Sequence, residues 1–484
     1  MDYEKGEAIT PMPSNTKVAG EVYAADGQED AVFGEIVDTG PNYRNVGWLG
    51  TTALMLKTQI GLGVLSIPSV FDTVGMIPGV ILLITIASLN AWSNYMVGVF
   101  KNNHREVYGI DDAGRIMLGN WCREILATAF VLYEIFVAGA AMLGVSIALN
   151  ALSAHGACTA IFVAVAAIIG FCLASIRTLG KISWLAWIGV TCIIVSRKVI
   201  LGKLLNVTNL HSIVLTLTVS VGIQDRPAAA PQDAVWVSDY KLVAQPSFRQ
   251  AMSAISTLVF AYAGTPTFFP IAAEMRDPKM YKRSLMACQV TVTLVYLVIG
   301  IVVYYFCGSY VASPALGSAG VLLKKICYGI ALPGLIVTTA LITHMPAKYA
   351  FVRILRGSRH LTHNTIVHWS TWLGCVLAAT IIAYVIASGI PVFGSLVSLV
   401  GALLGTFLSF QPMAGMWLYD NWSDGKGKKS IRWMGMVAFC GFMLVIGTFI
   451  MVAGSYSAIA QIIDDYNATG GSAAWSCADN SGSA

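Results

Sequence analysis

The chain has 484 residues, 56% of them apolar and 11% charged, with 30 basic against 25 acidic side chains. An ordinary soluble domain carries about 25% charge, so a globule of this composition could not cover itself with polar surface, and a soluble enzyme is excluded. Spans of about 20 apolar residues each account for most of the apolar total if there are eleven, and the sequence describes an all-α polytopic membrane protein.

Residues 1–47 hold nine acids against Lys5, Lys17 and Arg44, with scattered Gly, Pro and Ser. They have no apolar period and predict a disordered acidic cytoplasmic tail. No basic stretch leads into a short apolar core, so nothing there resembles a cleaved signal peptide. Apolar runs of spanning length follow at 49–73, 76–100, 122–150, 158–176, 247–273, 285–307, 321–345, 365–387, 390–415 and 433–455. The transmembrane domain is therefore expected over 48–455, with an extracellular tail at 456–484.

One further span is required between 177 and 246, and there the pattern falters. Only 15 residues, 182–196, have span character before Arg197 and Lys198, and 15 helical residues supply roughly 22 Å of a core about 30 Å thick. Joining SWLAWIGVTCIIVS directly to LTVSVGI restores a normal span. The polar segment 197–214 therefore reads as an insertion, such as a retained intron, with a fifth span bearing a long polar exit as the alternative. Placement of Lys and Arg sets the orientation. With a cytoplasmic N-terminus the inner loops carry 17 cations, and the outer loops at 151–157, 224–246 and 308–320 carry Arg226 and Lys241, with Lys324 and Lys325 at the next boundary. Eleven spans leave the C-terminus outside, where Asn467-Ala-Thr469 is a sequon open to a glycan; Asn421-Trp-Ser423 would face the cytosol. The ten cysteines form no CxxC pair and most lie in apolar runs, which predicts small packing residues with neither a metal site nor a disulfide framework.

The chemistry is read from where the spans break. The first contains Ile60-Gly61-Leu62-Gly63-Val64-Leu65-Ser66-Ile67-Pro68, and the sixth Phe260-Ala261-Tyr262-Ala263-Gly264-Thr265-Pro266. Glycine and proline weaken or remove helical hydrogen bonds, and freed backbone at membrane depth persists only where it lines a cavity or is buried in protein. Two interrupted spans, five apart, point to an inverted-repeat transporter. Free N–H groups from Gly61 to Val64 would favour a carboxylate, and unpaired carbonyls from Phe260 to Ala263 would accept an ammonium. The guest that offers both charges is an amino acid. Thr265 sits in the sixth-span break, and Tyr133, Phe136, Phe260 and Tyr262 are candidate walls, although aromatics at helical spacing commonly serve packing alone.

Glu134 is the one acid deep in a span. A buried carboxyl favours its neutral form, which suits a proton-coupling group; a Glu bonded between two helices is the equal alternative. Lys57 is expected to snorkel to the cytosol and His344 to lie at the interface. Thr338 and Thr339 could meet an ion or substrate, or satisfy neighbouring helices. Glu274, where the sixth span leaves the membrane, suggests an inner-gate ion pair with Arg276, Lys279 or Arg283.

KTQIGLGVLSIPSVFDTVGMIPG and FAYAGTPTFFPIAAEMRDPKMYKRS resemble the first- and sixth-span signatures of the amino acid/auxin permease family. RTLGKISWLAWIG and QDRPAAAP are similar to stretches of fungal neutral amino acid permeases of the methyltryptophan-resistance type, and only 197–214 departs from the pattern between about 45 and 455. The resemblance implies a leucine-transporter-like five-plus-five inverted repeat with broken first and sixth helices and an eleventh helix added. It implies proton-driven import of neutral aliphatic and aromatic amino acids at the plasma membrane, with a vacuolar membrane as the alternative. Carried over by residue, the substrate backbone would lie at Ile60, Gly61, Gly63 and Val64 and at Phe260, Ala261 and Tyr262. The expected partners are the amino acid and the lipid bilayer, with no nucleic acid, and no cofactor besides H⁺ as coupling ion. A non-transporting sensor on the same scaffold is the competing function. An ATP-driven pump is unsupported, since no GxxxxGK[ST] loop occurs.

Overall fold

A computed structural model describes residues 44–61, 63–177, 226–227, 229–231, 236–361, 363–390, 392–423, 430–469, 475 and 477–481. The suspected insertion at 197–214 and the fifth span lie outside them, as does the acidic tail up to residue 43.

The first span is split as its glycines demand: α1 (Trp48–Gln59), a 3₁₀ turn (Gly63–Ser66) and α2 (Ile67–Val74), with Pro68 in the first turn of α2, where its missing N–H costs nothing. Next come α3 (Met76–Asn103), the short α4 (Ile110–Leu118), α5 (Asn120–Ser153) and α6 (Thr159–Ala174). The sixth span repeats the interruption as α7 (Phe248–Tyr262), a 3₁₀ turn (Thr265–Thr267) and α8 (Phe268–Ala273). A capping box formed by Ser247 and Gln250 starts α7. Then follow α9 (Tyr281–Cys307), α10 (Val321–Leu355) and α11 (Ile366–Gly389). The tenth span is α12 (Phe393–Val400), a π turn (Gly401–Gly405), α13 (Thr406–Ser409) and α14 (Gln411–Asn421); α15 (Ile431–Thr469) closes the chain.

Nine of these helical stretches are long and apolar enough to cross a membrane among the described residues, and α6 is a shorter apolar helix. Corresponding members of the two halves pack on one another: α3 on α9, α5 on α10, α6 on α11. That pairing is what a pseudo-twofold repeat requires. The split spans lie inside, while α15 covers α7, α12 and α14. Helix faces bearing Ile81, Ile168, Val290, Ile381 and Val445 point outward; at membrane depth such surface meets lipid.

At the α4 end, Asp112 accepts from the backbone of Tyr108 and pairs with Arg356 at 2.8 Å, and Asp111 lies 3.4 Å from Arg123. Burial, and then the neighbouring Asp112, lift the Asp111 carboxyl above its usual range. At the opposite end Cys158 and Cys477 form a disulfide across 319 residues of sequence. This corrects the expectation of no disulfide: spacing along the chain carries no information about cysteines that folding brings together. The same end segment is held by Trp475 N–H donating to Ser388 O (3.0 Å), Thr159 Oγ1 to Ala478 O (2.7 Å) and Asn150 Nδ2 to Asn480 Oδ1 (2.7 Å).

Candidate functional site

The two breaks touch. A Cβ on Gly63 would lie 2.6 Å from Ala261 Cα and 2.9 Å from Ala261 Cβ, so this crossing of backbones admits only glycine. Gly61 faces the Thr338 side chain, and Gly264 faces Thr58 and Phe268. Ile60 ends α1 in an extended conformation, its N–H bonded to Leu56 O at 2.6 Å, and Val64 is buried in the 3₁₀ turn that follows. The first N–H groups of that turn have no acceptor within their own helix.

On the sixth span the carbonyls expected to be unpaired are met by side chains. Tyr296 Oη lies 2.8 Å from both Gln59 O and Ala261 O and can donate its single proton to either. Tyr262 O accepts from Gln59 Nε2 at 3.2 Å and from Asn90 Nδ2, and Tyr133 Oη donates to Ala263 O. Phe260 O accepts from Ala263 N–H at 3.1 Å. Buried backbone polar groups need partners, and phenols and amides from α1, α3, α5 and α9 supply them here. Thr265 Oγ1 donates to Asn90 Oδ1 at 3.0 Å, which orients that amide toward the break. Phe260 and Tyr262 are buried, whereas Phe136 is partly buried against the core.

Glu134 is fully buried and its Oε1 accepts from Thr267 Oγ1 at 2.6 Å, joining α5 to the turn of the sixth span. Its Oε2 has no hydrogen-bond partner among the described residues. Thr338 and Thr339 both donate to carbonyls one turn back, at 3.0 Å. Thr338 lies against Gly61, while the Thr339 methyl faces Gly170 of α6, away from the break.

Three charge assignments need correction. Glu274 pairs at 2.8 Å with Lys348 of α10, not with the cations of its own loop, and both side chains are 1% exposed. Lys57 is fully buried and does not snorkel, because α1 runs inside the bundle. His344 is also fully buried, with Nδ1 3.1 Å from Ala174 O and its ring edge-on to Trp372. Beside the Glu274–Lys348 pair, Val46 N–H donates to Glu274 O and Arg276 N–H to Val46 O, which closes this end of the molecule with the last residues of the tail.

Toward the other end a cavity of about 420 Å³ opens between α2, α7, α12 and α15. Ser66 and Thr257 line its floor side, two residues beyond Val64 and three before Phe260, and Arg249 and Asp464 stand 3.3 Å apart among its lining residues. No group of three or more His, Cys, Asp or Glu that could hold a metal occurs among the described residues.

Asn90, Tyr296, Gln59, Thr267 and Lys348 were not foreseen. Asn90 had a signal, as one of two amides, with Asn94, in the interior of a 28-residue apolar helix; Tyr296 had none that separates it from packing.

Two split helices crossing at the centre of a paired-repeat bundle, closed at one end and hollow at the other, define a transporter of the leucine-transporter fold. Solved structures agree. The chain is similar to Mhp1, a nucleobase-cation-symport-1 family transporter, over 89% of its length and 94% of that protein's, with a TM-score of 0.54 and 12% identity. It is likewise similar to a Na⁺-coupled sialic acid symporter, over 87% and 92%, with a TM-score of 0.53 and 11% identity. Residues 44–460 match the family model described as transmembrane amino acid transporter protein, and the chain belongs to that family. It is 32% identical to a transmembrane transporter of Gibberella moniliformis over 98% of both chains. It is also 32% identical to the N amino acid transport system protein of Neurospora crassa over 97% of both. The protein is a membrane transporter, not an enzyme.

Proposed function

We propose that the protein imports neutral aliphatic and aromatic L-amino acids by proton symport with alternating access. The observation that carries this is the contact between Gly63 and Ala261, which sets the first N–H groups of one broken helix beside the carbonyls of another. Backbone of opposite polarity at one spot suits a zwitterion without any buried countercharge. The apolar and aromatic surroundings, Val64, Phe260 and Tyr262, favour a neutral side chain. The name of the Neurospora relative supports amino acids as the cargo; the competing sensor reading finds no support among the relatives, which are transporters.

Glu134 serves as the proton carrier in this reading, since it is the buried carboxyl that bonds directly to the broken sixth span. The cavity would admit solute from the outside, and the Glu274–Lys348 pair with the Val46–Met275 backbone bridge would be the closed inner gate. The charge bias of the loops and a disulfide at the cavity end both support an extracytosolic C-terminus, because disulfides persist in oxidising compartments. The plasma membrane is the proposed location.

The test is uptake of labelled leucine and phenylalanine by proteoliposomes at two pH values, with and without Na⁺. Stimulation by an inward acid gradient and indifference to sodium are expected, and Glu134→Gln should abolish the pH response. Sodium dependence, or full pH dependence in Glu134→Gln, would overturn the coupling assignment; binding without counterflow would favour a sensor.

A further inference from the structure

The end of the bundle that the Glu274–Lys348 pair closes also carries a guanidinium that neither the fold nor the proposed transport requires. Arg177 lies just beyond α6, partly exposed, and it is held from several sides. Lys348 Nζ donates to Arg177 O at 3.0 Å and Trp372 Nε1 to Ser175 O at 2.7 Å, which fix the backbone. The Arg177 Cζ lies 4.2 Å from the centre of the Trp369 ring, a cation–π contact. Its Nη1 donates to Asn364 Oδ1 at 2.6 Å and to His368 Nε2 at 3.1 Å. An arginine can only donate, so His368 Nε2 accepts, and the ring proton on Nδ1 is donated to His360 O at 2.8 Å. Both Nη1 hydrogens are thus engaged by neutral groups, while the edge formed by Nε and Nη2 meets no acceptor among the described residues.

No carboxylate pairs with this charge among the described residues. Acids at the same end serve other cations, Glu124 with Arg353 and Asp112 with Arg356, and the following stretch of sequence, 178–224, contains no acid. Arg359 is exposed in the loop whose His360 carbonyl meets His368, and it adds a second positive charge. Apolar side chains stand out from the protein around it: Ile366 is 87% exposed, and Ile354, Val367 and Trp369 are exposed as well. A tryptophan and aliphatic groups exposed beside arginines mark the level at which a bilayer meets water, and the oxyanion abundant at that level is a lipid phosphate.

We propose that Arg177 is the centre of a binding site for the headgroup of an anionic phospholipid. The open edge of the guanidinium presents parallel N–H groups that match two oxygens of one phosphate. The Trp369 face and the Asn364 and His368 acceptors hold that edge in place before a lipid arrives, so binding costs little further side-chain freedom. Arg359 favours a headgroup of net negative charge over one whose phosphate is balanced by an ammonium. The proposed orientation enters at one point: it puts this end on the cytosolic side, where anionic lipids concentrate.

The test counts lipids that remain on full-length protein, by native mass spectrometry, after release from nanodiscs of equal parts phosphatidylserine and phosphatidylcholine. The parent should retain phosphatidylserine in preference, and Arg177→Gln should lower the ratio of the two lipids at least about threefold. Trp369→Leu keeps the charge but removes its platform, and should lower the ratio about twofold. Arg283→Gln is the control: Arg283 also stacks at 4.2 Å, over Trp48, but no side-chain acceptor holds it among the described residues, and the parental ratio is expected. An unchanged ratio in Arg177→Gln would overturn the proposal and leave the guanidinium to the acids of residues 1–43. An equal loss in Arg283→Gln would overturn it in favour of general surface charge. Displacement of the retained lipid by excess inorganic phosphate would assign the edge to a soluble anion and overturn it too. A parent without preference for phosphatidylserine does the same, and that reading needs no variant to fold. None of these readouts measures flux, so the lipid site and the transport reading fail separately.

Discussion

Gly63→Ala tests the crossing of the two breaks. The added Cβ would sit 2.6 Å from Ala261 Cα, and ordinary contact begins near 3.4 Å, so the first and sixth spans must part by about 0.8 Å. The obstacle is backbone, which cannot rotate aside. Overpacking of this kind costs about 1–3 kcal/mol, and at about 1.4 kcal/mol per tenfold the loss in leucine counterflow should lie between about 5-fold and 150-fold. Two companions calibrate the result. Gly61→Ala meets the Thr338 side chain at 3.1 Å and Lys57 O at an ordinary 3.8 Å, and Thr338 can shift at a cost of about 1 kcal/mol, or roughly fivefold. Gly435→Ala meets nothing within 4 Å and should transport as the parent does. Activity is measured per unit of folded protein in proteoliposomes. Parental flux in Gly63→Ala, or equal losses in all three variants, would refute the argument that this contact shapes the site.

The Glu274–Lys348 pair predicts an asymmetry in thermal unfolding. Lys348→Met removes the cation 2.8 Å from a carboxylate that is 1% exposed and should cost about 3–5 kcal/mol, whereas Lys348→Met with Glu274→Gln should recover most of it; equal melting temperatures for the two would count against a buried ion pair. Tyr133→Phe removes the donor to Ala263 O, and leaving that carbonyl unpaired should cost about 1–3 kcal/mol in the empty protein. Added leucine should then stabilise the variant more than the parent, and identical ligand-induced shifts would place the substrate elsewhere. Asn467, exposed near the end of α15, should carry an N-glycan, detected as a deglycosylation mass shift on its peptide and absent in Asn467→Gln. Asn421, at the opposite end with Nδ2 bonded to Trp417 O, should be unmodified; a glycan there would invert the topology.

The overall architecture was open to reading because it rests on local signals. Apolar length marks spans, and paired Gly and Pro mark breaks, so α1/α2 and α7/α8 were expected at 49–73 and 247–273 and occur at Trp48–Val74 and Phe248–Ala273. Contacts between distant residues left no such trace. Glu274 has four cations within nine residues of sequence, Arg276, Lys279, Lys282 and Arg283, and short range made three of them, Arg276, Lys279 and Arg283, the natural partners. Burial decided otherwise: Lys348 faces Glu274 inside the protein, where a desolvated carboxylate gains most from a fixed opposite charge. Lys57 and His344 misled for the same reason, since position along a span says how deep a residue lies and not whether its helix faces lipid, water or protein. The Cys158–Cys477 bond is the extreme case, joining residues 319 apart.

The filled carbonyls change what binding must mean at this site. An empty cradle would gain every hydrogen bond it forms with a zwitterion. Here the oxygens of Tyr262 and Ala263 already accept from Gln59 and Asn90 and from Tyr133, and that of Ala261 competes with Gln59 O for the one proton of Tyr296. On the proposed reading, an arriving ammonium would either use a second lone pair on the same oxygen or displace a neutral donor. Charge-assisted bonds are about twice as strong as neutral ones, so displacement is favourable, but the net gain is the difference and not the whole. A site built this way would hold the proposed substrate moderately and let it go, as a carrier must. It would also couple occupancy to α1, α3, α5 and α9, because each displaced donor belongs to one of those helices. The proposed solute would thereby act on the elements that move around it, through the same hydrogen bonds that hold the broken helices.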